Sequence, residues 1–209
     1  MIIAVDGPAG AGKGTIASYL ANYYELKHLD TGLLYRAVAL KALRENIANN
    51  DSVSLVRIAL NLDLDQLKDP DLRLESTASM ASQIAVLPEV REILTRHMRF
   101  FCQHISKPFK GAVLDGRDIG TVVCPDAHLK FFVTARPEIR AQRRLKEMQE
   151  HQTQNQQESY LEKINERDQR DRIVAAEDAY TIDTSDMNIK DACEYAGKIV
   201  EEYMKNLAA

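Results

Sequence analysis

Tryptophan is absent from this 209-residue chain, and cysteine occurs three times, at Cys102, Cys124 and Cys193. Three widely spaced thiols make no even disulfide framework. No C-x-x-C pair or Cys/His cluster offers a zinc site, so the expected setting is reducing and cytoplasmic. No apolar stretch approaches the length of a membrane span, and the first apolar run starts at Ile2, which leaves no room for a signal peptide. An excess of positive charge is missing too. A net charge of −4 and a pI near 5.8 argue against a nucleic-acid polymer as partner. Internal repeats are lacking, and no helical pattern shows an exposed apolar seam, so a monomer is expected. What remains, 45% hydrophobic and 28% charged residues over 209 positions, suffices for one sizeable core with insertions.

The stretch that organises the chain is Gly7-Pro8-Ala9-Gly10-Ala11-Gly12-Lys13-Gly14-Thr15. It follows the apolar run Ile2–Asp6, which reads as a buried strand. It precedes an apolar spacing at Ile16, Leu20, Ala21 and Tyr24, which reads as a helix. Strand, glycine-rich turn and helix is the context of a P-loop. Glycines let backbone N–H groups converge on phosphate oxygens, and the helix N-terminus adds its dipole. Lys13 is placed to reach the β- and γ-phosphates, and Thr15 carries the hydroxyl.

Further along, Leu26–Asp30 reads as a second strand. Asp30 ends it just before a helix face at Leu33, Ala37, Leu40 and Leu43, with Tyr35 and Arg36 one turn inside. Asp30 suits a helix N-cap and equally the ligand-binding carboxyl edge of an open sheet. Residues 46–106 read as an all-helical insertion, with Val53 to Leu64 as one helix and Pro88 to Arg99 as another. Taken singly, Arg36, Arg91, Arg96 and Arg99 are satisfied by a solvated surface. The run Ala112–Gly116 returns to the core and ends in Asp115, a Walker B arrangement in which the carboxylate orients magnesium or its waters. Arg117 and Asp118 follow at once. Charges at the end of a buried strand are costly as pure structure, which favours phosphate- and substrate-facing groups over a surface turn.

Leu129–Thr134 and Tyr180–Asp183 read as the fourth and fifth strands. The segment 136–175 between them is dense in arginine, including Arg140, Arg143, Arg144, Arg167, Arg170 and Arg172, with a Gln-rich tip over His151–Gln157. Solvated helices explain it; so does a lid whose cations fold over phosphates. The last helix repeats apolar residues from Ile189 to Leu207, with Asn188 and Asp191 as a capping pair. The expected architecture is α/β: a five-stranded parallel sheet flanked by helices, with core segments 1–45, 107–135 and 176–209 and insertions 46–106 and 136–175.

A P-loop binds phosphates without naming the acceptor. The N-K-x-D base-reading motif of G-protein switches is missing, and no obvious general base stands out. A hydroxyl acceptor benefits from such a base, whereas a phosphate acceptor is already anionic. Its demand is for several cations to bring two polyanions together. A kinase for another small metabolite and a nucleotide-binding protein without turnover are the alternative readings.

The chain resembles the bacterial cytidylate kinases of the nucleoside monophosphate kinase family, nearly end to end. The resemblance rests on Gly7–Thr15, D-T-G-L-L-Y-R at Asp30–Arg36, A-S-Q-I-A at Ala81–Ala85, P-E-V-R-E at Pro88–Glu92, D-G-R-D-I-G-T at Asp115–Thr121 and E-R-D-Q-R-D at Glu166–Asp171. It implies a P-loop kinase fold whose two insertions bind the acceptor nucleotide and form the lid. It implies ATP with Mg²⁺ on Gly7–Thr15, the metal meeting Thr15 and, through water, Asp115. The implied acceptors are CMP and dCMP. By position, Arg36 and Arg117 would hold the acceptor phosphate, with Asp30 and Tyr35 in the same substrate-binding stretch. Ser82, Arg91 and Asp118 would read the cytosine, and Arg167 and Asp171 the pentose side. Arg144 and Arg170 would be lid cations beside the transferring phosphoryl, joining Lys13 and Arg117 as the catalytic set. Relatives usually add an arginine and a proline-containing stretch after the Asp171 position. Here the chain reads R-I-V-A-A-E-D from Arg172 to Asp178, with Arg172 as the candidate stand-in.

Overall fold

The computed structural model describes residues 1–63, 67–147, 154–171 and 173–208. They form two compact units, Met1–Leu29 together with Ile105–Ala209, and Asp30–His104.

The first unit holds a five-stranded parallel sheet of β1 (Ile2–Asp6), β2 (Lys27–Asp30), β3 (Ala112–Gly116), β4 (Leu129–Thr134) and β5 (Tyr180–Asp183), in the order β2-β3-β1-β4-β5. The strands read as apolar runs rather than alternations because helices cover both faces. β3 is buried at every position, whereas the edge strand β5 buries only Ile182. On one face α1 (Lys13–Tyr23) and α8 (Ile189–Ala208) pack Ile16, Leu20, Ala196 and Val200 against Ile3, Val5, Phe131 and Val133. Each such large apolar side chain contributes roughly 1.5–3 kcal/mol. The expected cap on α8 is present and reciprocal: Asn188 Oδ1 accepts the Asp191 N–H at 2.9 Å, and Asn188 Nδ2 donates to Asp191 Oδ2 at 2.7 Å.

From β1 the chain moves out to β2 and back to β3 on one side, then to β4 and β5 on the other. Reversal of strand order opens a crevice at the carboxyl ends of the central strands. Val5 registers with Asp115 and Asp6 with Gly116, so the ends of β1 and β3 lie side by side where the glycine-rich turn begins.

Two further helices, α6 (Pro137–Glu147) and α7 (Gln154–Asp171), form a hairpin around Ala141, Leu145, Tyr160 and Ile164. The segment expected over 136–175 therefore has its own small core, yet it clusters with the sheet rather than as a separate body. Within the expected Gln-rich tip, residues 151–153 lie outside the described residues and α7 already begins at Gln154. Arg172 also lies outside them.

The second unit is helical, as expected: α2 (Thr31–Arg44), α3 (Ser52–Leu60), a 3-10 turn at Pro70–Arg73, α4 (Glu75–Ile84) and α5 (Pro88–Gln103). Its boundary falls at Asp30, not at Asn46, because α2 turns Ala37 and Leu40 onto Leu72 of the 3-10 turn and packs along α4. α3 stops at Leu60, short of the expected Leu64. The next residue, Asn61, donates its side-chain amide to the Arg57 carbonyl, and 64–66 are outside the described residues. Among the described residues no helix is long and apolar enough to cross a membrane.

Candidate active site

The turn between β1 and α1 is shaped by two glycines, one required by a close backbone approach and one by a left-handed conformation. Gly7 passes so close to β4 that a Cβ would lie 1.9 Å from the Val133 carbonyl oxygen. Gly12 caps α1 in the left-handed region, at φ 92. The result is a concave backbone ending in a helix N-terminus, the geometry that attracts phosphate oxygens. Lys13 is buried and folds back over the loop, its Nζ donating to the Pro8 carbonyl at 2.7 Å. Gly14 and Thr15 are exposed.

Asp115 is buried at the end of β3. Its Oδ1 accepts from His28 Nε2 at 2.7 Å, and its Oδ2 lies 3.8 Å from where a Cβ on Gly14 would sit. A carboxylate beside the turn that carries the Thr15 hydroxyl is a hard-oxygen pair suited to Mg²⁺, which keeps several waters and uses few protein ligands. Among the described residues no group of three His, Cys, Asp or Glu side chains forms a dedicated metal cage.

Arg117 leaves β3 beside this carboxylate. Its Nε donates to Asp171 Oδ2 at 2.9 Å and its NH1 to the Gly116 carbonyl at 3.2 Å. Arg167 Nε is 3.6 Å from the same Asp171 oxygen. The resemblance placed Arg117, Arg167 and Asp171 in one site, and the fold brings the three together. Arg144 is half-buried on α6 and Arg170 exposed on α7. In the helical unit, Asp30 caps α2 by accepting the Gly32 N–H at 3.0 Å. Arg36 NH1 donates to the Leu72 carbonyl at 2.7 Å, and Arg91 NH1 to the Ala85 carbonyl at 3.2 Å. Ser82 is buried on α4, and Tyr35 is half-buried on α2.

Four supports of the site went unread in the sequence. Asp6, the residue before Gly7, is buried and accepts the N–H groups of Ile119 and Gly120 at 2.8 and 2.7 Å. Burial pushes its carboxyl above the ordinary value, against these two hydrogen bonds. It fixes the turn that follows Arg117 and Asp118. The cost of a charge at a buried strand end, which drew attention to Arg117, applied equally to Asp6. Arg140, one of the arginines of the expected lid, is only 3% exposed. It donates to the carbonyls of Ala135 and Ala9 and pairs with Asp168 through two nitrogens, at 3.1 and 2.5 Å. Arg143 donates to the hydroxyl and carbonyl of Thr184, whose hydroxyl donates to the Ala11 carbonyl. Both arginines thus brace the outside of the P-loop from α6. The fourth, His28, looked like one polar residue in a short strand; only the β2–β3 pairing brings it to Asp115.

A P-loop at the carboxyl edge of a β2-β3-β1-β4-β5 parallel sheet, with an arginine-bearing helical hairpin, defines a P-loop kinase. A model of the cytidylate kinase family matches residues 3–203. The chain is similar to cytidylate kinases of Bartonella quintana (40% identity, 98% of this chain, 96% of the relative), Bradyrhizobium sp. ORS 278 (45%, 96% and 96%) and Paramagnetospirillum magneticum (47%, 91% and 93%). A solved structure of an uncharacterized protein from Eubacterium ventriosum shares the fold alone, at TM-score 0.56 and 12% identity over 96% of this chain and 98% of that one. The chain belongs to the cytidylate kinase family. It is a kinase, a transferase that phosphorylates nucleotides, with ATP the donor that the family implies.

Proposed function

We propose that this protein transfers the γ-phosphoryl group of ATP to CMP and dCMP in the cytoplasm, as a monomer and with Mg²⁺, yielding CDP and dCDP. The observation that carries the reading is the convergence on Asp171. One carboxylate holds Arg117 and lies beside Arg167, next to the strand end that bears Asp115. Two polyanions meet only where guanidinium charge is gathered, and carboxylates keep those groups in place before substrate arrives.

In this reading the backbone of Gly7–Gly14 receives the donor phosphates, and Lys13 leaves the Pro8 carbonyl for the β- and γ-oxygens. Thr15 and Asp115 would hold Mg²⁺, Asp115 through water; the ion, when bound, neutralises charge developing on the phosphate oxygens. Arg117 holds the acceptor phosphate, as does Arg36 from the helical unit once it exchanges the Leu72 carbonyl for the stronger anion. Asp118, Ser82 and Arg91 read the cytosine. Its amine needs an acceptor and its carbonyl and ring nitrogen need donors, so uracil leaves polar groups unmatched. Arg167 and Asp171 meet the pentose, Asp30 and Tyr35 the acceptor, and Arg144 and Arg170 the transferring phosphoryl. Segment 46–106 serves the acceptor and 136–175 the lid.

The test is coupled ADP release with Mg-ATP and each of CMP, dCMP, UMP, AMP, GMP and shikimate. Turnover concentrated on CMP and dCMP is expected. Equal turnover with UMP would remove the cytosine-reading roles, and turnover with shikimate alone would remove the acceptor class.

A further inference from the structure

His28 lies on β2, the strand next to β3, and reaches across to Asp115 with Nε2 at 2.7 Å from Oδ1. A carboxylate offers only lone pairs, so Nε2 is the donor. The other oxygen, Oδ2, is turned toward α1, 3.8 Å from a Cβ built on Gly14. The two oxygens therefore point to different neighbours, one to the sheet and one to the turn that carries Thr15. Asp115 is 6% exposed, so bulk water does little to orient it. The terminal torsion of a carboxylate is broad and soft. A directional donor on one oxygen restricts the plane of the group.

We propose that His28 is a positioning residue for Asp115: its Nε2–H fixes the carboxylate so that Oδ2 faces the Gly14–Thr15 turn. This rests on the reading of Asp115 as the carboxylate that orients the hydration shell of Mg²⁺. That ion demands near-octahedral geometry and tolerates little displacement of its partners. Outer-shell groups that orient a ligand are typically worth 10–100-fold in metal affinity or activity. An aliphatic residue at position 28 could fill space on β2 without supplying the donor, so it is the N–H of the imidazole, not its bulk, that holds the Asp115 carboxylate.

The experiment compares wild type with His28→Leu, His28→Gln and Asp115→Asn in the full chain. Two quantities are read: Mn²⁺ binding to the protein–ADP complex by electron paramagnetic resonance, and the Mg²⁺ concentration for half-maximal turnover at saturating nucleotides. His28→Leu should weaken Mn²⁺ binding and raise the Mg²⁺ requirement by about 10-fold, with KM for CMP unchanged. His28→Gln, whose amide presents an N–H, should recover most of the loss. If Asp115→Asn shifts both metal constants and His28→Leu shifts neither, the role of His28 is overturned and that of Asp115 stands. If Asp115→Asn shifts neither, the reading of Asp115 fails and the inference falls with it. A uniform loss in His28→Leu, of turnover and of every affinity alike, that Gln does not restore would mark a structural role and overturn the proposal.

Discussion

Asp6, Lys13, Asp115, Lys130 and Arg140 are each less than one-tenth exposed in the sheet unit, whereas among the described residues the buried polar side chains of the helical unit are the hydroxyls of Thr31, Thr77 and Ser82. The sheet unit thus withdraws charge from water at several places, Asp6 and Asp115 at the carboxyl ends of β1 and β3, Lys13 at the start of α1, Lys130 near the start of β4 and Arg140 on α6, and each of these groups has a hydrogen-bonding partner. Among the described residues no charged side chain of the helical unit is buried. Arg44, for instance, bridges Asp69 and Asp71 at 2.8 and 2.7 Å with more than half of its side chain exposed. Burying a charge is costly unless it is paired and hydrogen-bonded. Asp6 and Asp115, buried at the adjoining ends of β1 and β3, are held there by the Ile119 and Gly120 N–H groups and by His28. Charges left at the surface are a weak source of stability.

The sharpest way to break that contrast is Lys13→Ala. The variant should lose about 10³-fold or more in kcat and keep its circular dichroism spectrum; near-normal turnover would mean the buried ammonium only braces Pro8. Next comes a matched pair. Arg140→Met should cost about 2–3 kcal/mol in chemical denaturation, somewhat less than for a fully buried pair because Asp168 keeps part of its hydration. Arg44→Met should cost a small fraction of that. Equal losses would erase the distinction between the units. The third is Arg117→Lys, which keeps the charge but loses the planar donor that Asp171 engages. It should raise KM for CMP roughly 10-fold or more and leave KM for ATP nearly unchanged; equal effects on both would place Arg117 outside the acceptor side.

The smallest effect is one of pH. The Arg44 side chain, and then the Asp71 N–H, hold the Asp69 carboxyl below its ordinary 3.8. A depressed value adds stability that is present above pH 3.8 and lost as pH falls through the depressed value. Asp69→Asn should therefore be slightly less stable than wild type at neutral pH, with the gap closing in acid; thermal midpoints across the acid range would show it. Asp6 has the opposite sign. Its value is raised, so its contribution is present below pH 3.8 and lost as pH rises through the raised value.

Much of this was legible in the chain. The apolar runs of β1 and β3 and the periodicity of α8 carry period and length together, and Gly7–Thr15 has a geometry few other sequences need. Pro137 and the Asn188–Asp191 pair mark helix starts through local chemistry, which sequence displays directly. The boundary at Asp30 was hidden because α2 begins immediately after β2, and its allegiance is decided by contacts with α4 rather than by any break in the chain. Arg140 could not be told from Arg144 by residue type; the difference is that one reaches Ala9 and Asp168. His28 and Asp115 are 87 residues apart, and only strand order makes them neighbours.

Direct transfer between two nucleotides is the chemistry we propose for the gathered charges. A single-turnover experiment with ATP radiolabelled at the γ-phosphoryl, Mg²⁺ and excess CMP tests it most directly. The label should appear in CDP, with almost none released as inorganic phosphate. Label appearing as inorganic phosphate while CMP stays unmodified would contradict it.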